Sequence, residues 1–402
     1  MILTLGGASA VESGASPQRI AALVPPEAVP GTVSGPVRQL TALAHALPDA
    51  GIECLVVAFH RHGQPPSAVA PYLQEAGVRH CIVEDHGPVD WRMALSVGSV
   101  LRHWRPSIVQ THGYKATAVA YLLRRLRAPW RWIGCFNGST TEPLKARFYH
   151  WVDQQLLGAA ERVVVMSRAQ ARVFRHCNGR VRVIHNAVLA LPPAGTTSER
   201  DRLAGLAAGL PRPIVGVVGR LSQEKGVDLF LDACAALARK GLAFSALVAG
   251  DGPGRGRLEA QCAGLGLETR VRFLGHVYDV DALYRMLDLL VLPSRSEGLP
   301  NTLLEALQAD VPVVATAVGA VPEVVGTSAA ARVVAPGSAT TLAAAIELAL
   351  TQGDPPAAAA ARREVMSRFS LERRVEAHVR LYRDLLEEAG GVRPACVASL
   401  ER

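Results

Sequence analysis

Short apolar runs, each followed by a stretch of helical periodicity, recur along the whole of this 402-residue chain. That alternation constrains the fold more than any other feature. A run of four to eight Val, Ile, Leu and Ala residues between turn residues reads as a strand buried on both faces. Strand–helix repetition then builds parallel sheets covered by helices. The first half gives strands at 19–25, 52–59, 80–83, 106–110, 130–136, 162–166 and 181–184. Helical stretches between them fall at 37–47, 72–76, 91–104, up to about 126, 144–157 and 169–174. The second half gives strands at 214–218, 244–249, 271–274, 287–292, 311–315 and 332–334, with helices at 227–239, 257–263, 280–286, 302–309 and 340–349.

The length suits two domains, and 49% hydrophobic residues suffice for two cores. Pro192, Pro193, Gly195, Pro211 and Pro213 mark residues 191–213 as the linker, with a helical patch inside it. The expected layout is a loose tail over 1–18, a first α/β domain over 19–190, a second over 214–369, a long helix over 370–390 and a tail over 391–402. Ser370 can cap that helix, whose apolar stripe is Leu371, Val375, Val379, Tyr382 and Leu386. Both domains read as doubly wound parallel sheets, and two such domains leave a cleft between them.

The net charge of +8 is uneven: residues 1–190 hold 20 Lys/Arg against 11 Asp/Glu. A basic first half points to an anionic surface or partner. No nucleic-acid module is visible, and nucleic acid is not expected as a partner. Seven scattered Cys with no C-x-x-C pair exclude a disulfide framework or zinc site and suit a reducing compartment. No apolar run approaches the roughly 18–20 residues of a membrane span, and the first 18 residues lack the pattern of a signal peptide. The expectation is a cytoplasmic protein, with contact on the inner face of a membrane as an option.

The chemistry concentrates in residues 293–306. An apolar strand runs into a polar loop with Ser294, Ser296, Glu297 and Gly298, and the loop opens a helix. Backbone N–H groups and the dipole at such a helix start favour an anion. Glu297 and Glu305 flank it, which suits hydroxyls on either side of a phosphate: a nucleotide-sugar. Arg220 and Lys225 share one strand-to-helix loop and could converge on a diphosphate. His112 follows a strand, where α/β sheets bind ligands.

These residues belong to a longer series. Gly219-Arg220-Leu221 with Glu224-Lys225-Gly226, Gly250-Asp251-Gly252-Pro253, Phe273-Leu274-Gly275, and Pro293-Ser294 with Glu297-Gly298 and Glu305-Ala306 follow one another in the second half. The first half has Thr111-His112-Gly113-Tyr114-Lys115-Ala116, Val165 with Ser167, and Ile184-His185-Asn186; Phe369-Ser370 and Leu381-Tyr382 close the chain. Over about residues 18–390 the sequence resembles the retaining glycosyltransferases of family 4. The resemblance implies a GT-B fold, two Rossmann-like domains facing a cleft, with the acceptor in the first and the sugar nucleotide mainly in the second. It implies transfer with retention and no metal or other cofactor, Arg220 and Lys225 neutralising the leaving diphosphate. Glu305 would hold ribose and Glu297 the hydroxyls of the transferred sugar, with Gly298, Leu299, Pro300 and Asn301 beside it. His112 would meet the sugar from the first domain. Gly31 and Gly35 would bring the first domain's loop to the diphosphate, with Gly219 opposite, although this loop lacks the family's usual paired glycines.

The acceptor would be a saccharide or lipid-linked saccharide in cell-surface polysaccharide or glycoconjugate synthesis, with UDP-sugar as donor. Bases and aromatics in residues 124–132, including Arg124, Arg125, Arg127, Trp130 and Trp132, suggest docking on an anionic membrane face. The competing function classes are a nucleotide-sugar epimerase of similar two-domain fold and a non-catalytic nucleotide-sugar binder.

Overall fold

The structure is a computed structural model, and it describes residues 17–26, 33–87, 90–137, 144–177, 179–189 and 197–388. The first sheet has seven parallel strands: β1 Gln18–Val24, β2 Ile52–Arg61, β3 His80–Asp85, β4 Ile108–His112, β5 Arg131–Phe136, β6 Arg162–Val165 and β7 Val181–Val183. The second has six: β8 Ile214–Val218, β9 Ser245–Ala249, β10 Val271–Gly275, β11 Leu289–Leu292, β12 Val313–Thr316 and β13 Arg332–Val334. Their orders are β3-β2-β1-β4-β5-β6-β7 and β10-β9-β8-β11-β12-β13. Helices cover both faces of each sheet, which is why strands such as β1 and β11 are continuous apolar runs.

In both sheets the order reverses beside the first strand, between β1 and β4 and between β8 and β11. Helices leave such a point in opposite directions, and the crevice between them takes ligands. His112 ends β4, and the 293–301 loop follows β11. The two predicted sites are therefore the two switch points.

The helix Thr197–Ala207 lies inside the expected linker, yet it belongs to the second domain. Leu203 is buried in its core, and Arg202 donates to the Leu274 carbonyl at 3.1 Å. The helix Ala358–Arg368 was not foreseen. The final helix, Leu371–Glu387, is capped by Ser370 and packs on the first domain. There Tyr382 donates to Gln110 Oε1 at 2.9 Å, and Arg162 pairs with Glu388.

Trp130 and Trp132 are core residues, which corrects their assignment to a membrane face. Trp132 Nε1 donates to Thr111 Oγ1 at 3.0 Å, and Arg124 stacks over Trp130. Trp130 just precedes β5 and Trp132 lies in it, and both rings are buried. No described helix is long and apolar enough to cross a membrane. The six described cysteines are buried free thiols.

Candidate functional site

The second-domain wall is assembled by contacts between loops. After β8 the chain passes Gly219 and Arg220 and makes a tight turn, Gln223–Lys225. Gly226 ends the turn at φ +66°, and a Cβ there would lie 2.1 Å from the Pro293 carbonyl oxygen. Only glycine lets this turn lie against the loop after β11. That loop is fixed at several points. The Arg295 N–H donates to the Glu224 carbonyl at 2.7 Å, and its guanidinium forks onto Asp228 at 2.7 and 2.6 Å. Lys225 Nζ lies 2.7 Å from Glu297 Oε1, and Ser294 Oγ donates to the same oxygen at 2.7 Å. The helix Asn301–Gln308 starts after Pro300 with no side-chain cap; Leu303 N–H donates to the Pro300 carbonyl at 3.1 Å, and the Asn301 and Thr302 N–H groups precede any intrahelical acceptor.

Glu305 sits one turn inside that helix and is buried. Tyr284 donates to its Oε2 at 3.0 Å, and Arg38 of the first domain reaches Oε1 at 2.9 Å. Burial and the adjacent carboxylate push the Tyr284 phenol well above its ordinary value. Arg38 and Tyr284 escaped sequence reasoning, because neither belongs to a local motif. Only the fold brings them to Glu305.

The opposite wall is His112. Burial, with Arg374 nearby, lowers its pKa to about 3, so the ring is neutral at pH 7. Tyr382 donates to Gln110 Oε1, which leaves the Gln110 amide nitrogen to donate to His112 Nε2 at 2.9 Å. Asn137 Nδ2 lies 3.4 Å from the other ring nitrogen, Nδ1, so each nitrogen of the neutral ring faces a side-chain amide.

The walls meet closely. Asn301 Oδ1 accepts from Asn186 at 3.0 Å and from Gln39 at 3.3 Å. A Cβ on Gly35 would lie 2.5 Å from Asn301 Nδ2. Glu323 accepts from the Arg168 N–H at 2.7 Å and lies 3.1 Å from His185 Nε2. One cavity of about 580 Å³ is lined by His112, Gly35, Gly219, Arg220, Lys225, Glu297, Gly298, Leu299, Pro300, Asn301 and Glu305, and also by Arg38, Asn137 and Arg374. Gly31 lies outside the described residues. Every other predicted site residue faces this cavity. Cations, a helix start and hydrogen-bonding carboxylates around one space suit a substrate with both phosphates and hydroxyls.

Residues 203–366 match the family model of glycosyl transferases group 1, and residues 33–188 that of glycosyltransferase family 4. The lipopolysaccharide core biosynthesis mannosyltransferase LpcC of Rhizobium leguminosarum bv. viciae is 37% identical over 214 residues, 50% of this chain and 59% of that protein. The chain thus spans less than two thirds of that relative. The 2-deoxystreptamine N-acetyl-D-glucosaminyltransferase of Streptomyces fradiae is 28% identical over 388 residues, 87% of this chain and 91% of that one. Among solved structures, Anabaena HepE in complex with UDP-glucose has a TM-score of 0.73 at 22% identity, covering 92% of this chain and 100% of its own. At that identity the likeness shows the GT-B fold. With one model matching each half, the chain belongs to the group 1, family 4 glycosyltransferases.

Proposed function

We propose that the enzyme moves a sugar, with retention and without a metal, from a UDP-sugar to a saccharide or lipid-linked acceptor in cell-surface polysaccharide or glycoconjugate synthesis. The observation that carries this reading is the single cavity shared by Arg220, Lys225, Glu297, Glu305 and His112. HepE's binding of UDP-glucose and the relatives' lipopolysaccharide roles favour the donor and the setting.

The ligand-free contacts suggest how each residue acts. The donor's diphosphate draws Lys225 off Glu297, with Arg220 and the start of the Asn301–Gln308 helix completing the anion site. Glu297 is then free to accept hydrogen bonds from sugar hydroxyls. Glu305 exchanges Arg38 for the ribose hydroxyls while keeping Tyr284. His112, neutral, exchanges a hydrogen bond with a sugar hydroxyl and contributes no charge.

A panel of sugar nucleotides in thermal shift tests the donor, since a ligand that binds only the folded state raises Tm by mass action. UDP-sugars are expected to stand out. Lys225→Ala, Glu297→Ala and His112→Ala are each expected to lower turnover at least tenfold, about 1.4 kcal/mol in the barrier. Full activity in all three would refute the site. EDTA is expected to leave turnover unchanged. UDP-sugar conversion with no acceptor present would favour an epimerase.

For the acceptor side we propose a peripheral contact with anionic phospholipid, through a different surface from residues 124–132 alone. The helices Trp91–Trp104, Tyr114–Arg125 and Leu144–Leu157 pack side by side on the first domain. They expose Trp91, Leu95, Leu122, Phe148 and Trp151, with Leu126 just beyond. Arg92, Arg102, Arg125 and Arg127 are also exposed, and the one acid in these helices, Asp153, is buried. Aromatics set among bases suit a lipid interface. Co-sedimentation with phosphatidylglycerol vesicles, lost in Arg125→Glu/Leu126→Glu/Arg127→Glu and absent with phosphatidylcholine alone, is the expected result. Equal sedimentation of the variant would sink the idea.

A further inference from the structure

Three described arginines are buried: Arg162, Arg362 and Arg374. Arg162 meets Glu388, and Arg362 meets Asp310 at 2.6 Å and Asp354 at 2.7 Å. Arg374 meets no carboxylate among the described residues. It stands on the final helix, 6% exposed, and its Nη1 donates to the Gln39 carbonyl at 3.2 Å and to Gln39 Oε1. Its Nε has no hydrogen-bond partner. The groups that feel its field are His112, His378, Cys135 and Tyr382, all neutral at pH 7. Burial lowers the guanidinium only to about 10, so it stays charged.

A buried cation with no counter-ion is costly, whereas a helix anchor needs no charge. Arg374 also lines the cavity that holds His112. It comes from the final helix and not from the Arg220–Lys225 loop, which serves the diphosphate in the reading above. We infer that Arg374 is an anion-recognition site for the sugar held against His112, and that the enzyme handles an acidic sugar. The ligand chemistry is an oxyanion, either a carboxylate on the transferred sugar or a phosphate on the acceptor. The inference rests on the cavity being a sugar-nucleotide site. A planar guanidinium suits either group bidentately.

The test compares wild type, Arg374→Gln and Arg374→Lys. UDP, UDP-glucose and UDP-glucuronate are titrated calorimetrically. D-glucuronate, D-glucose and inorganic phosphate are compared by thermal shift, which needs no nucleotide. Wild type is expected to bind UDP-glucuronate at least tenfold tighter than UDP-glucose. Arg374→Gln should erase that ratio while binding UDP equally, and Arg374→Lys should keep part of it. If the anion is on the acceptor, the ratio is near one in wild type, but phosphate raises Tm more where residue 374 is charged than in Arg374→Gln. Equal responses of wild type and Arg374→Gln to UDP-glucuronate, glucuronate and phosphate would overturn the proposal. So would a parallel loss for all three nucleotides, which marks a structural strut or a diphosphate contact. Should Arg374→Gln fail to fold, the Arg374→Lys ratio decides alone: unchanged from wild type with no anion preference, the proposal falls. Wild type that ignores UDP yet keeps its charge-dependent anion response would sink the donor reading and leave Arg374's site standing.

Discussion

Lys225 and Glu305 both hold ion-pair partners in the cleft, Glu297 and Arg38. Such pairs hold the charges in a fixed orientation, and for the buried Glu305 an unpartnered charge would be costly. Tyr284→Phe removes the donor to Glu305 Oε2, and a hydrogen bond to a charged group is worth about 1.5–3 kcal/mol. Nucleotide affinity measured by calorimetry is therefore expected to fall roughly tenfold or more. Unchanged affinity would show that Arg38 alone orients Glu305. Two buried histidines govern the acid response. His112 and His378 titrate near 3 when folded, against an ordinary 6.5, chiefly because burial disfavours the cation. Between pH 6.5 and 3 the unfolded chain takes up protons that the folded one refuses. Stability therefore drops as pH falls, by up to about 1.4 kcal/mol per unit for each histidine. Asp153 acts oppositely: burial raises it to about 6, so the folded state holds a proton that the unfolded chain releases above 3.8. Asp153→Asn removes that opposing contribution. Urea midpoints between pH 4.5 and 6 should decline more steeply with acid in the variant than in wild type; parallel curves would contradict the buried-carboxyl account. His112 was legible from its place after a strand, but its neutrality was not, because burial comes from the closed fold.

The elements that build the site are strand-to-loop-to-helix units, and their sequence signal was strong. The helix expected at 302–309 is Asn301–Gln308, and the strand expected at 214–218 is Ile214–Val218. Local periodicity specifies such units because each strand is buried on both faces. Loop-to-loop docking carried no such signal. Gly226 was legible as part of the Glu224-Lys225-Gly226 series, but not that it holds the Lys225 turn against Pro293. Gly226→Ala meets both a left-handed backbone and a carbonyl at 2.1 Å, so a loss exceeding about 1 kcal/mol is expected. A fall in thermal midpoint together with weaker nucleotide binding would bear this out. Thermal stability equal to wild type would show that the two loops can part without cost. The helix at 197–207 taught the converse. Its Pro- and Gly-rich flanks read as linker, but Leu203 inserts into the second core. Whether a segment packs depends on the surface opposite it, which local composition does not encode.

At the scale of the whole molecule, the two domains are joined by Asn301 with Asn186 and Gln39, by Arg38 with Glu305, by Glu323 with Arg168 and His185, and by the final helix. Polar contacts of this kind suit a cleft that opens and closes. Glu323→Ala removes one carboxylate that touches two first-domain groups and leaves the cavity lining intact. A larger radius of gyration by small-angle scattering and a several-fold rise in donor KM at near-constant kcat are the expected results. An unchanged radius would mean that Glu323 plays no part in closure. The sequence by itself determined two doubly wound domains, the family and eleven of the residues that line the cleft. Alternation, turn chemistry and motif spacing are local, and each is written within a few dozen residues. Only the tertiary structure decided that Trp130 and Trp132 are core, that Arg38 reaches Glu305 across 267 positions and that Arg374 is a buried cation beside His112. Burial and pairing depend on which surfaces meet, and those surfaces come from segments hundreds of residues apart.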